Sequence, residues 1–154
     1  MRVILPAVLM GVVAGMRAMT APAAVSWAAV LGWISVGTTA LGFLARSFTP
    51  WVFTVLALGE FVTDQLPTTP SRTVPLQFGT RLVTGAFSGG AIGLSAGQPL
   101  AGAIAGVLGA VIGTLGGRWL RGRLAASFGN DRPAAFLEDA LAVGLAVLAL
   151  MALP

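Results

Sequence analysis

Residues 51–66, WVFTVLALGEFVTDQL, lie between Pro50 and Pro67 and read as a membrane-spanning helix in all but two positions. Glu60 and Asp64 interrupt the apolar run one turn apart, which places them on one helix face. A charged side chain at the bilayer centre costs about 2.5–3.5 kcal/mol on insertion scales, so acids in such a stretch point to a functional site. The chain has only five acidic residues, and a second pair, Glu138 and Asp139, opens its last apolar stretch.

The composition sets the solvent. Of 154 residues, 56% are hydrophobic and 9% charged, with a mean hydropathy of +0.92; soluble domains carry about a quarter charged residues. A crossing needs about 20 apolar residues, so the length allows about five or six helices and little else. The expectation is an all-α polytopic transmembrane bundle, one domain over residues 1–154, multi-pass in a bacterial inner membrane. The basic residues are all Arg, and Lys, His, Cys and Tyr are absent. That excludes disulfides, thiolate or imidazole metal sites, Schiff bases and a histidine base, so no cofactor or metal is expected. The Arg excess points to loop orientation and anionic lipid headgroups, with membrane lipids as partners and no nucleic acid. Residues 2–19, RVILPAVLMGVVAGMRAM, begin like a signal peptide, but Pro6 and the next apolar stretch, which follows almost at once, favour a retained helix.

Apolar runs between Pro, Gly and Arg clusters place helices at 3–18, 21–45, 50–66, 78–97, 99–124 and 133–153. Breaks at 16–23 and 94–101 each carry a Pro, and either is a tight turn or an unwound point in a broken helix. Sliding the chain by 78 residues superposes the two breaks, matching Gly11 with Gly89, Gly15 with Gly93 and Glu60 with Glu138. The halves 1–69 and 78–154 then read as an inverted repeat of three helices each, an arrangement common in transporters; chance matching among Gly and Ala is the alternative. Gly102, Gly106, Gly109, Gly113 and Gly116 fall on one face of the fifth helix, with Ala24, Ala28, Ser35 and Gly42 in similar phase in the second. Small residues let backbones approach closely, which marks helices two and five as the crossing centre. With six crossings, Arg72, Arg81, Arg118, Arg121, Arg123 and Arg132 share one side, and the positive-inside rule makes it cytoplasmic.

Arg17, at the first break, and Arg81, near the start of the fourth helix, are the natural partners of the acids. A buried acid either pairs with a cation or keeps its proton. The functional reading makes Glu60, Asp64, Glu138 and Asp139 ion- or proton-handling groups, with Arg17 and Arg81 balancing them or meeting an anionic substrate. In the polar segment 65–75, QLPTTPSRTVP, the hydroxyls of Thr68, Thr69, Ser71 and Thr73 and the guanidinium of Arg72 suit a lipid phosphate; the plainer reading is a solvated connector. GLSAG at 93–97 matches a nucleophile-elbow pattern, but that motif needs a strand-to-helix turn and a base, and the chain has no His. No enzyme is expected.

AGMRAMTAP near the start, LGEFVTDQLPTTPSRTVP in the middle and GNDRPAAFLEDALAVGLAVLAL at the end together resemble a family of small bacterial integral membrane proteins. That family is catalogued as a domain of unknown function, number four-one-two-six. Arg17, Glu60, Asp64, Pro67, Ser71, Arg72, Gly129, Asn130, Glu138 and Asp139 match its motif positions. Gln65 stands where the pattern has Lys, and Asp131 with Arg132 interrupts its Gly-Asn-Pro spacing. The resemblance implies a small membrane protein and marks the acids and the Thr-Pro-Ser-Arg-Thr loop as the signature, with no activity to carry over. The leading expectation is a transporter or channel for a small solute or ion, as a homodimer because so few helices rarely enclose a pathway alone. The alternative is a non-transporting scaffold or anionic-lipid-binding protein with structural Arg–carboxylate pairs.

Overall fold

The computed structural model describes residues 3–66 and 71–153. It contains six α-helices and, among the described residues, no strand: α1 (Ile4–Met16), α2 (Thr20–Val30), α3 (Thr49–Thr63), α4 (Pro75–Ser95), α5 (Pro99–Phe128) and α6 (Asp131–Met151). Helices α3, α4 and α5 each begin with a proline in the first turn, where the missing N–H is not needed. Among the described residues, α5 and α6 are the two helices long and apolar enough to cross a membrane.

The second expected helix, 21–45, is much shorter. It stops at Val30, where Gly32 takes φ +77° and the N–H groups of Gly32 and Trp33 donate to the carbonyls of Ala29 and Ala28. This is a Schellman ending, which a glycine enters without a Cβ clash. Between there and α3 the chain is irregular apart from a single 3-10 turn at Gly42–Ala45. The second break ends the same way: Gly97 takes φ +69°, Gly97 and Gln98 donate to Leu94 and Gly93, and Pro99 starts α5. It is a tight turn between two helices.

The centre of the fold is therefore α5 packed on α1 and α4, rather than on α2. The glycine stripe divides between two neighbours: Gly102 and Gly106 face Gly89, Gly93 and Gly85 of α4, while Gly109 and Gly113 face Val8 and Val12 of α1. Gly116 meets nothing. A Cβ on Gly106 would overlap the carbonyl oxygen of Gly85, so the backbones are in direct contact. The pairings run in step along α1 and α5, and in reverse along α4 and α5, so α1 is parallel to α5 and α4 antiparallel to both. Helix α3 returns along α2, with Trp51 edge-on to Trp27 and Glu60 beside Ala18 and Met19. The two expected halves are unequal here, α2 having 11 residues against 30 in α5.

These directions bring the C-terminal ends of α1 and α3, the early turns of α4 and α6, and the later half of α5 to one end of the molecule. All five acids and the Arg residues that face them collect there.

Candidate functional site: a charged network at one end of the bundle

The first break exposes backbone groups that need partners. After α1 ends at Met16, Arg17 turns extended (φ −140°, ψ 106°), so the N–H groups of Ala18 and Met19 have no partners in the preceding helix. Both donate to Glu60, at 2.8 Å each, one to each carboxylate oxygen. On the other side of the break, Arg81 Nη1 donates to the carbonyls of Gly15 (3.0 Å) and Met16 (2.7 Å), and Thr114 Oγ1 donates to Gly15 at 3.2 Å. An acid thus collects the freed donors and a cation the freed acceptors. Arg81 Nη2 lies 3.7 Å from Glu60 Oε1, which closes the circuit. Its Nε is buried with no hydrogen-bond partner among the described residues.

Arg17 itself is fully buried. Its Nε donates to Asp139 Oδ1 at 2.5 Å, its Nη atoms form ion pairs with Asp64 and Asp139, and Glu138 lies 3.8 Å away. The Phe61 ring stacks below its guanidinium, 5.7 Å from Cζ. Glu138, also fully buried, is held by Arg72 in a two-pronged pair, with Nη2 to Oε2 at 2.9 Å and Nη1 against Oε1. The planar fork of Arg suits a carboxylate in this way. Gly117 of α5 makes room for that pair, since a Cβ there would sit 2.9 Å from Glu138 Oε1 and 3.1 Å from Arg72 Nη1.

Arg121 joins the outer rim. It donates to Asp131 through Nε (2.9 Å) and Nη2 (2.5 Å) and to the Asp64 carbonyl at 3.1 Å, with Asp64 and Glu138 carboxylates 3.9 and 3.6 Å from its Nη1. Asp131 is more than half exposed, whereas Glu60, Asp64, Glu138 and Asp139 are 0–13% exposed in their side chains. Arg17, Arg72, Arg81 and Arg121 thus face four largely buried carboxylates, Glu60, Asp64, Glu138 and Asp139, and the exposed Asp131 as a fifth. Most of the buried charge is offset by a partner, the condition under which burial costs least.

The network's depth follows from α5. Residues 99–117 carry no charge and span about 28 Å at about 1.5 Å per residue. Gly117, at the end of that run, touches the Arg72–Glu138 pair. The charges therefore lie at one end of the apolar span. Glu60 is in the last turn of α3 and Asp64 directly follows it, at the end of the helix that the opening motif suggested they interrupt.

Six residues read from the sequence, Arg17, Glu60, Asp64, Arg81, Glu138 and Asp139, meet in one network. Arg72, read as a headgroup contact, is turned inward onto Glu138. Ser71 and Thr73 remain at the surface, 3.0 Å apart, with Arg118 Nη1 donating to Thr73 Oγ1 at 3.2 Å. Pro67, Thr68 and Thr69 lie outside the described residues. Sequence reading missed Arg121 and Thr114. Arg121 had been counted only as loop charge, and a lone Thr in a glycine-rich helix carries no signal.

No family model, curated protein or solved structure matches the chain. The site is read from its own geometry. Beside the network, an apolar groove of about 330 Å³ opens between α2, α3 and α6, lined by Thr20, Trp27, Thr54, Phe61, Val143 and Ala146 among others. Phe61 separates it from Arg17, and Thr20 Oγ1 is buried there without a hydrogen-bond partner among the described residues.

Proposed function

We propose that this chain is a multi-pass protein of a bacterial cytoplasmic membrane, that it passes a small solute or ion, and that the network is the closure at its cytoplasmic end. The carrying observation is that one set of buried ion pairs ties together the ends of α1, α3, α4, α5 and α6. Replacing buried ion pairs by well-packed apolar residues is often neutral or stabilising, so stability alone is a poor reason to keep eight charged groups here. Pairs that can part and re-form on protonation or on meeting an ion give a reason. Glu138, Asp64 and Asp139 share Arg17, so loss of one charge frees a guanidinium to change partner.

The membrane reading draws on the surface as well. Leu100, Leu108, Ile112, Trp119, Val55, Leu58 and Val62 are each about half exposed or more, an apolar covering that water would not sustain. Among the described residues, Arg17, Arg72, Arg81 and the Arg residues between 118 and 132 belong to the networked end, against Arg46 at the other, which orients that end inward. The unpartnered face of α3 offers a surface to lipid or to a second copy. The resemblance to the small-membrane-protein family rests on the same network residues.

Purified protein in liposomes tests this. With an imposed pH gradient and a panel of small ions and solutes, wild-type vesicles are expected to dissipate at least one gradient faster than protein-free vesicles. Glu138→Gln and Glu60→Gln are expected to change that rate. Equal rates for wild type and empty vesicles across the panel would sink the transport reading. The second reading, a scaffold whose network is purely structural, is favoured by the complete use of both Glu60 oxygens on backbone N–H groups. It predicts wild-type vesicles as tight as empty ones.

A further inference from the structure

The later half of α5 carries a second charged feature, apart from the network. Leu115, Arg118, Trp119, Gly122, Arg123 and Ala126 follow at helical spacing and line one shallow groove of about 470 Å³. Their face of α5 is turned outward: Arg118, Trp119, Gly122 and Arg123 are all exposed, and a Cβ on Gly122 would meet nothing within 4 Å. Arg121, between them in sequence, points the other way, onto Asp131 and Asp64. The acids of the chain are thereby committed elsewhere, and no ion pair to Arg118 or Arg123 is formed among the described residues.

Helix α5 has 30 residues, about 45 Å of helix, against a hydrocarbon core of about 30 Å. Its uncharged run ends at Gly117, so Arg118 begins the part that stands among headgroups. Trp119, 62% exposed, sits at that boundary, where amphipathic rings collect. Arg123 lies over the Trp119 ring, 4.8 Å from its centroid, and Arg118 is fixed by Thr73, whose hydroxyl in turn meets Ser71. Two guanidinium groups without acidic partners, one of them over an exposed ring, and two hydroxyls alongside make a cradle for a phosphate.

We infer that the groove at Arg118, Trp119 and Arg123 binds the headgroup phosphate of an anionic phospholipid in the cytoplasmic leaflet. The inference rests on the membrane reading above but not on transport. Arg72 contributes nothing, being held by Glu138; Ser71 and Thr73 are the part of the loop that reaches the site.

Native mass spectrometry of the full chain, released from mixed phosphatidylglycerol and phosphatidylcholine vesicles, reads the preference directly. A surface Arg near an anionic leaflet is worth about five-fold in binding, so two give wild type a preference for phosphatidylglycerol of about twenty-five-fold. Arg118→Gln with Arg123→Gln should bring it close to one, Arg118→Lys with Arg123→Lys should restore part of it, and Arg46→Gln should leave it unchanged. Wild-type retention in the double Gln variant overturns the inference, as does a wild type without preference. Saturable binding of inorganic phosphate in detergent, lost in the double Gln variant, assigns the site to a soluble anion and overturns the lipid. Co-flotation of the protein with the vesicles separates this failure from that of the membrane reading: protein that floats without lipid preference refutes only the site.

Discussion

The same three helices, α1, α4 and α5, are joined twice, by opposite means. Along most of their length glycines bring backbone against backbone, with Gly106 between Gly85, Gly89 and Gly11. At one end the joint is made by charged side chains, with Arg81 reaching from α4 to the last carbonyls of α1 and Thr114 of α5 meeting the same Gly15 oxygen. The seam works by the absence of side chains and has one solution. The network works by exchangeable pairs and has several. A seam of that kind fixes geometry, whereas a network whose members share partners can rearrange at modest cost.

The sharpest way to break the comparison is at the seam. Gly106→Val should be the most damaging single change, because its side chain would collide with the backbone of α4 while α1 closes the other side. Overpacking ordinarily costs about 1–3 kcal/mol, and here there is no flexible side chain to move, so about 3 kcal/mol or more is expected. Gly116→Ala, one turn beyond the seam in open space, should be neutral or stabilising by up to about 1 kcal/mol through helix propensity. Thermal unfolding in detergent, followed by helical circular dichroism, gives both values. If the two variants melt alike, the seam is not a close contact.

Next comes Arg17. Arg17→Met leaves Asp64 and Asp139 buried without their central partner, and breaking a buried pair in this way costs about 3–5 kcal/mol. The informative step is the triple variant, Arg17→Met with Asp64→Asn and Asp139→Asn, which removes the stranded charges along with the cation. Stability should return in large part if charge balance is what matters. If the triple variant is worse than the single, the carboxylates are held by something other than Arg17.

The two joints were unequally legible in the sequence. Glycines at spacings of three and four announce a packing face by themselves, so the seam on α5 could be read, although not that it would divide between α1 and α4. Helix α2 was misjudged at its end, because GWISVG looks apolar enough to continue while Gly32 permits a Schellman stop that periodicity does not register. In the network, the identities of Arg17, Arg81 and the four acids were readable because charges are rare in this chain. That Arg17 and Arg81 would face the acids was readable too; which carboxylate each meets was not, since the partners come from separate helices and depend on direction and rotation. Arg72 shows the limit most plainly: in sequence it sits in a polar loop, and in the fold it is a buried clamp.

A smaller effect is expected at Glu60. Glu60→Gln keeps one carbonyl to accept from either Ala18 or Met19, but turns an amide donor towards the other N–H and removes the charge facing Arg81. Hydrogen bonds to charged groups contribute about 1.5–3 kcal/mol, and a loss of about 2 kcal/mol is expected. Hydrogen exchange should localise it, with faster exchange at Ala18 and Met19 and little change along the α1–α5 seam. Uniform acceleration across α1 would mean that the break and the seam are one cooperative unit.

The smallest effect belongs to the turn that carries α5 into α6. Gly129 ends α5 at φ +65°, and Asn130 caps α6 by accepting from the Arg132 N–H at 3.1 Å. Asn130→Ala should cost about 1 kcal/mol, as the loss of an N-cap usually does. The first turn of α6 carries Asp131, the exposed partner of Arg121, while Glu138 and Asp139 lie about two turns deeper on the same helix. Fraying at the cap should therefore loosen the Arg121–Asp131 pair and leave Arg72–Glu138 intact. In a double-mutant cycle, Asn130→Ala should couple to Asp131→Asn by about 0.5 kcal/mol or more and to Glu138→Gln by less than that. Equal coupling to both would make the rim and the buried pairs a single unit, and the whole charged end would then open together rather than from its outer edge.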